Sequence, residues 1–232
     1  MGRIAIVTDS TTSIPEAYLE QYHIHTVPYY IHRGKDTLRD LVTVTREAFY
    51  AWLPSATELP QTASPGPGDY YEMYGWITLE AARAALEGVS FDSILEGVQR
   101  LIPNVHMIQT ADTLRYLYMG GRIGRAKHLV GSLLNIKPLI SMENGTIVAL
   151  GTARNRSKAY QRMAEIVEGA VGKMGKIKIA YTHAAASEEI LKLKEIVETR
   201  VSIAESLISE LSPALGVHTG PGTVGFCYYP VE

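Results

Sequence analysis

One stretch near the end of the chain gathers groups that could do chemistry: Gly216-Val217-His218-Thr219-Gly220-Pro221-Gly222-Thr223-Val224-Gly225. One imidazole and two hydroxyls stand among glycines. Glycine lets a backbone take positive φ and approach another group closely. It also leaves N–H groups free to face an anion. A tight turn into a closing strand, Phe226-Cys227-Tyr228-Tyr229, accounts for the same residues with a solvated histidine. A second cluster, Asp9-Ser10-Thr11-Thr12-Ser13, sets five oxygen-bearing side chains in a row. Helix capping explains one or two of them, and hydrogen bonding to an anion would engage the rest. A third stretch, Leu59 to Gly68, presents Thr62 and Ser64 on a backbone stiffened by prolines.

Several chemistries are excluded by pattern. No Gly-x-Ser-x-Gly elbow is present. No Walker loop or dinucleotide fingerprint occurs, because Gly120-Gly121-Arg122-Ile123-Gly124 has the wrong spacing and follows a helix. His23 and His25 alternate, but no third metal ligand has a suggestive spacing. Asp9, Ser10 and His218 are the ingredients of a small hydrolase or phosphotransferase. So many neighbouring hydroxyls fit anion binding better than one activated nucleophile. Arg122, Arg125, Lys127, Arg154, Arg156 and Lys158 form a basic concentration with few acidic partners, either a solvated face or a dock for an anionic partner.

The elements that must position these groups are partly legible. The 232 residues are 46% hydrophobic and 20% charged, with a formal net charge of −2. That suits a globular protein of one or two domains and gives no sign of nucleic-acid binding. No apolar run approaches membrane-spanning length. Cys227 is the only cysteine, so no intrachain disulfide forms. With no signal-peptide pattern at the start, a cytoplasmic location is expected.

Arg3 to Thr8 reads as a strand buried on both faces, and Ser13-Ile14-Pro15-Glu16 as a capping box opening a helix to about Tyr22. The polar cluster then lies at a strand's carboxyl end, where open α/β sheets bind ligands. Ile24 to Ile31 reads as a strand interrupted by Pro28, and Leu59 to Gly68 as a loop. A helix from Asp69 runs at Gly75-Trp76 straight into another that ends near Glu87. Only two strands precede this break, too few for an independent sheet. Either the N-terminal region leans on the rest, or a strand–helix–strand section is absent. Phe91, Ile94, Leu95, Val98, Leu101 and Ile102 share one helical face. Val105 to Gln109 reads as a strand and Ala111 to Tyr118 as a helix. Ile136 to Met142 and Thr146 to Gly151 flank an Asn144-Gly145 hairpin signal, so a C-terminal sheet must be mixed. Ala159, Met163, Ile166, Val167 and Ala170 mark a helix, Ile177 to His183 a strand, Ser187 a helix cap, and Ile203 to Leu207 another strand.

Four stretches together resemble the DegV family of bacterial fatty-acid-binding proteins: Ile4 to Thr11, Leu59 to Pro65, Tyr116 to Ile123 with Leu133 to Pro138, and Gly216 to Gly222. The resemblance implies an α/β protein of two domains. The N-terminal parallel-sheet domain, residues 1–75, is incomplete, 76–103 bridge it, and 104–232 form an α/β domain with a mixed sheet. It implies a long-chain fatty acid, such as palmitate, between the domains and no other cofactor or metal. The resemblance places Thr62 and His218 at the carboxylate; Ser10, Thr11, Ser64 and Thr219, from the hydroxyl-rich stretches, are the further expected binding residues, and none is expected to be catalytic. A separate fatty acid kinase is the implied partner, docking at Arg122, Arg125, Arg154 and Arg156, with no stable membrane insertion. Relatives carry a serine-bearing section between Tyr74 and Trp76 that is missing here. A regulatory domain that has lost its ligand is therefore a further alternative.

Overall fold

A computed structural model describes residues 4–63, 74–126, 136–143, 146–172 and 175–231. Its centre is a six-stranded sheet in the order β10-β9-β11-β6-β7-β8. These strands are β6 (His106–Thr110), β7 (Lys137–Glu143), β8 (Thr146–Ala153), β9 (Lys176–His183), β10 (Ser202–Glu210) and β11 (Val224–Val231). β9 and β10 run parallel, while the remaining pairs are antiparallel, so the sheet is mixed as expected. The β7–β8 pair closes at Glu143 and Thr146; Asn144 and Gly145 lie outside the described residues.

Alternation along the strands sends successive side chains to opposite faces. Ile108, Tyr181 and Phe226 meet α6 (Arg156–Val171) and α7 (Ser187–Glu198) through Ala159, Met163, Val167, Ile190, Leu193 and Val197. Met107, Ala180 and Cys227 face the other way, onto Trp76, Leu79 and Ala82 of α3 (Tyr74–Leu86). Trp76 is 2% exposed, and its indole N–H donates to the Cys227 carbonyl at 3.3 Å. Charges rim this contact. Glu205 of β10 accepts two hydrogen bonds from Arg83 of α3, at 2.6 and 2.9 Å. Lys178 of β9 donates to Glu80 of α3 at 2.9 Å.

The N-terminal strands form two small sheets. β1 (Ile6–Asp9) pairs in parallel with β2 (Ile24–Val27), across α1 (Glu16–Gln21). β3 (Tyr30–Arg33) pairs with both β4 (Asp36–Arg39) and β5 (Gln61–Ala63). α2 (Arg46–Trp52) is capped by Thr45, whose hydroxyl accepts from the Ala48 N–H. The interrupted strand thus divides at Pro28, as a missing N–H dictates. The expected loop at Leu59 contains a strand, because Gln61–Ala63 finds the free edge of β3. The helix foreseen from Asp69 is described only from Tyr74.

Other expectations are corrected. Ser13 caps no helix; it takes a left-handed conformation (φ 51°), and α1 starts after Pro15 without a side-chain cap. Ser187 is the first residue of α7 rather than its cap. α5 (Arg115–Met119) is shorter than foreseen. β1 is not buried on both faces: Val7 is 60% exposed. In α4 (Phe91–Leu101) only Ile94 is fully buried, and Phe91 is 63% exposed. One cause explains both. Two strands cannot cover a helix layer on each side, so apolar surface patterned for burial stays open.

The N-terminal third shares its cores with the rest of the chain. Ile14 and Ile24 join the Trp76 cluster, and Tyr29, Ile31, Phe49 and Tyr50 join Tyr116, Leu211, Leu215 and Val217. In urea unfolding, Trp76→Ala is expected to cost roughly 3–5 kcal/mol. Phe91→Ser is expected to stay within about 0.5 kcal/mol. Equal losses would contradict the assignment of α3 as the organising helix.

Candidate functional site

Thr62 and His218 reach each other from opposite ends of the chain. Thr62 sits in β5, opposite Ile31 in the β3 ladder. His218 lies in the last turn of α8 (Pro213–Thr219). The glycine-rich stretch is therefore not merely a turn, since its first half is helical. Ser212 caps this helix through the Leu215 N–H, and Pro213 occupies the first turn, where a missing N–H does no harm. Gly220 ends it at φ +76°. A Cβ on Gly220 would lie 2.1 Å from the Tyr116 ring, so conformation and packing both demand glycine there.

The Thr62 hydroxyl and His218 Nε2 are 2.9 Å apart. His218 is 7% exposed, and its Nδ1 is buried with no hydrogen-bond partner among the described residues. Gly120 lies against that nitrogen; a Cβ there would stand 2.6 Å from it. Burial, followed by the positive charge of Arg122, pushes the imidazole down from its ordinary 6.5 to about 4. The ring is thus neutral near pH 7. With the proton on Nε2, it donates to Thr62, and the Thr62 O–H is free to donate to an incoming acceptor. With the proton on Nδ1, an N–H would be stranded against Gly120. The surroundings favour the first tautomer, and the pair presents one oriented hydroxyl.

The other expected binding residues are placed differently. Ser10–Thr12 form a single 3-10 turn after β1, and their hydroxyls close on the protein itself. Ser10 donates to Asp40 at 2.6 Å, and Thr11 donates to Asp9 through both its N–H and its hydroxyl. Thr219 donates to the Leu215 carbonyl of its own helix. Ser64 lies outside the described residues. Asp9, Ser10 and His218 make no relay: their side chains bond Thr11, Asp40 and Thr62 respectively, as no hydrolytic triad would.

The basic residues do not make one uniform patch. Arg156 is half-buried, bonding Asp112 at 2.7 Å, Tyr160 at 3.0 Å and the Gly222 carbonyl at 2.7 Å. It braces the turn before β11. Arg125 pairs with Glu143 at 2.7 Å. Arg122 is exposed; it donates to the Gly120 carbonyl at 3.1 Å, beside His218. Arg154 and Lys158 are exposed, and Lys127 lies outside the described residues. Asp40 and Tyr50 shape the site but carry no local motif that singles out their role, whereas Tyr116 and Gly120 fall in the stretch Tyr116 to Ile123 that carries the family resemblance. Among the described residues, no cluster of three or more metal-ligating side chains occurs, and no helix is long and apolar enough to cross a membrane.

The DegV family model, described as an uncharacterised protein of that family, matches residues 3–76 and 73–231. The chain belongs to the DegV family. A DegV domain-containing protein of Clostridium acetobutylicum is 29% identical over 278 residues, covering 97% of this chain and 98% of its own. Protein DegV of Bacillus subtilis is 26% identical over 276 residues, covering 97% and 98%. Among solved structures, a DegV family protein of Thermus thermophilus described as fatty-acid-binding superposes with a TM-score of 0.91 at 24% identity, over 99% of this chain and 100% of its own. A stearic acid-binding protein of Eubacterium ventriosum gives 0.86 at 21% identity, over 99% and 98%. These likenesses establish the α/β fold. The alignment with the Clostridium DegV relative is longer than this chain, and the two family blocks meet at residues 73–76. A section of DegV relatives is thus missing at the start of α3, where the sequence pattern breaks.

The depressed pKa of His218 has a measurable sign. The unfolded chain takes up this proton near 6.5 and the folded one only near 4. Stability is therefore expected to fall as pH drops through that window, by up to about 3 kcal/mol. Urea unfolding of wild type and His218→Asn at stepped pH checks this; parallel pH curves would disprove a buried neutral imidazole.

Proposed function

We propose that the chain binds a long-chain fatty acid and carries it, without performing catalysis, to a separate acyl kinase in the cytoplasm. The observation that carries this reading is the bond between Thr62 and neutral His218, which leaves one aimed hydroxyl donor for a carboxylate. Arg122 adds positive charge nearby without a permanent carboxylate partner among the described residues. The Thermus relative is described as fatty-acid-binding and the Eubacterium relative as stearic acid-binding, which supports the ligand class. The division into 1–75, 76–103 and 104–232 belongs to the same reading, with the acid held where the first and last parts meet.

Burying an acyl chain contributes roughly 0.8 kcal/mol per methylene, so the missing section matters through lost wall area. The test is direct. Protein purified from bacteria is denatured, extracted and analysed by mass spectrometry. About one equivalent of long-chain fatty acid is expected from wild type. Thr62→Ala and His218→Ala are expected to retain about tenfold less, the effect of losing one hydrogen bond to a charged group. An empty extract together with no uptake of added stearate would overturn the reading; continued binding to an acyl kinase would then point to a docking domain without ligand.

A second measurement addresses the partner. Arg122→Glu/Arg154→Glu is expected to lower phosphorylation of bound stearate by an acyl kinase at least about tenfold, because reversing two rim charges weakens association. Because Arg122 also faces the carboxylate, retention is expected to weaken with its reversal, whereas Arg154→Glu alone should lower phosphorylation and leave stearate retention unchanged. Unchanged phosphorylation would remove these two arginines from the docking surface.

A further inference from the structure

Asp40 is a carboxyl group that the ligand reading does not use and that, among the described residues, makes no direct ion pair. It follows β4 and is 1% exposed. Its Oδ2 accepts from the Ser10 hydroxyl at 2.6 Å, and its Oδ1 accepts from the Ala214 N–H at 3.3 Å. Ser10 in turn accepts from the Tyr29 N–H at 3.1 Å, while the Asp40 N–H donates to the Tyr29 carbonyl at 2.9 Å. Burial raises the carboxyl above its ordinary value, and hydrogen bonds from Ser10, Ser212 and Ala214, then the positive charge of Arg46, oppose that rise. Two chain segments therefore bond the carboxylate itself, the turn after β1 and the first turn of α8, while Tyr29, just before β3, joins them through the Ser10 hydroxyl and the Asp40 backbone.

The far end of α8 carries His218. Ala214 and His218 are four residues apart, on the same face of the helix and roughly 6 Å apart along its axis. Between them the helix has little freedom. A Cβ on Gly216 would lie 2.6 Å from the Tyr50 ring, and the Tyr50 hydroxyl donates to the Leu211 carbonyl at 2.9 Å. A short helix gripped this closely moves as one body. A change at Ala214 is then passed to the imidazole, whose bond to Thr62 tolerates little displacement.

We infer that Asp40 is a positioning residue for His218: by fastening the Ser10 turn to the first turn of α8, it sets where the imidazole meets Thr62. The inference rests on the fatty-acid reading only for its binding readout. The spectroscopic readout stands by itself.

The test uses the full chain with Asp40→Ala, Asp40→Asn, Ser10→Ala and a control, Val197→Ala, in the α7 core. Long-range proton–nitrogen NMR spectra report the imidazole rings, with His218 identified by the loss of its signals in His218→Asn. Wild type should show one neutral tautomer, protonated at Nε2. Asp40→Ala and Ser10→Ala should show mixed tautomers and a His218 pKa moved up toward 6.5. Asp40→Asn keeps an acceptor for the Ala214 N–H and should stay close to wild type. Val197→Ala should lower the melting temperature and leave the His218 signals unchanged. Stearate affinity should fall about tenfold in Asp40→Ala and recover in Asp40→Asn, as for one lost hydrogen-bonded contact. Wild-type His218 signals in folded Asp40→Ala, or equal changes in Val197→Ala, would overturn the inference. Should Asp40→Ala fail to fold, Ser10→Ala against Asp40→Asn gives the same comparison. Should stearate bind no form of the protein, the fatty-acid reading fails and the imidazole spectra alone decide the role of Asp40.

Discussion

A two-stranded parallel sheet has too little surface to hold itself, and this constraint governs the N-terminal part of the molecule. β1 and β2 are stable because α3 lies between them and the six-stranded sheet. Its inner face buries Trp76, Leu79 and Ala82 with Met107 and Cys227, and Ile14 and Ile24 join the same cluster. The link is chemical as well as geometric. Arg83 and Glu80 of α3 meet Glu205 and Lys178 of the sheet in a half-buried network. Removing one partner from such a network leaves a charge uncompensated, which costs far more than the intact network contributes. The network therefore fixes how α3 lies on the sheet rather than supplying most of its adhesion, which comes from the apolar contact. This interface is whole, while Val7 of β1 and Phe91 and Leu95 of α4 stand exposed.

The second organising element is α8, a helix too short to be stable in isolation. Six of its seven residues are buried, and tertiary contacts supply what its length cannot. Tyr50 fills the space over Gly216, Tyr116 fills that over Gly220, and Asp40 meets the first turn. Glycine at these two positions lets aromatic rings come directly against the helix backbone. The same tight packing dehydrates His218 and keeps it neutral, so fold stability and site chemistry share one set of contacts.

Much of this was legible in the chain. Ile177 to His183 reads as a strand by its branched side chains, and β9 covers Lys176–His183. Ala159, Met163 and Val167 fall on one helical face, and each is fully buried. What failed did so for tertiary reasons. Gln61–Ala63 is bounded by prolines and glycines, yet pairs because β3 offers an open edge. Gly216 reads as a breaker, yet stands within a helix because Tyr50 needs its space. Phe91 and Leu95 have the spacing of a buried face, yet stand exposed, because spacing records one apolar face and not whether anything packs on it. At the site, the family resemblance named Thr62 and His218, which stand 156 positions apart in sequence. No local pattern revealed Asp40, since its partners Ser10 and Ala214 come from distant segments. The Ser10 cluster showed its hydroxyls plainly but not their destination, which depends on Asp40.

A carrier faces a requirement that an enzyme pocket does not: it must hold a carboxylate firmly enough to transport it and loosely enough to release it. A buried ion pair would serve badly, because separating it leaves one charge stranded in a medium of low dielectric. Neutral donors avoid that difficulty. In the proposed reading, the acid's charge is met by a hydroxyl, an imidazole held neutral by burial, and a guanidinium exposed at the rim. When the ligand leaves, the site left behind contains no unpaired formal charge in its interior. The cost of the empty state is then limited to the unpartnered Nδ1 and a hydroxyl that water can satisfy. Affinity falls to the acyl chain, whose burial is non-directional and grows with length, while the polar pair sets orientation. In the same reading, wall area lost with the missing section shifts affinity and chain-length preference without disturbing how the head group is recognised.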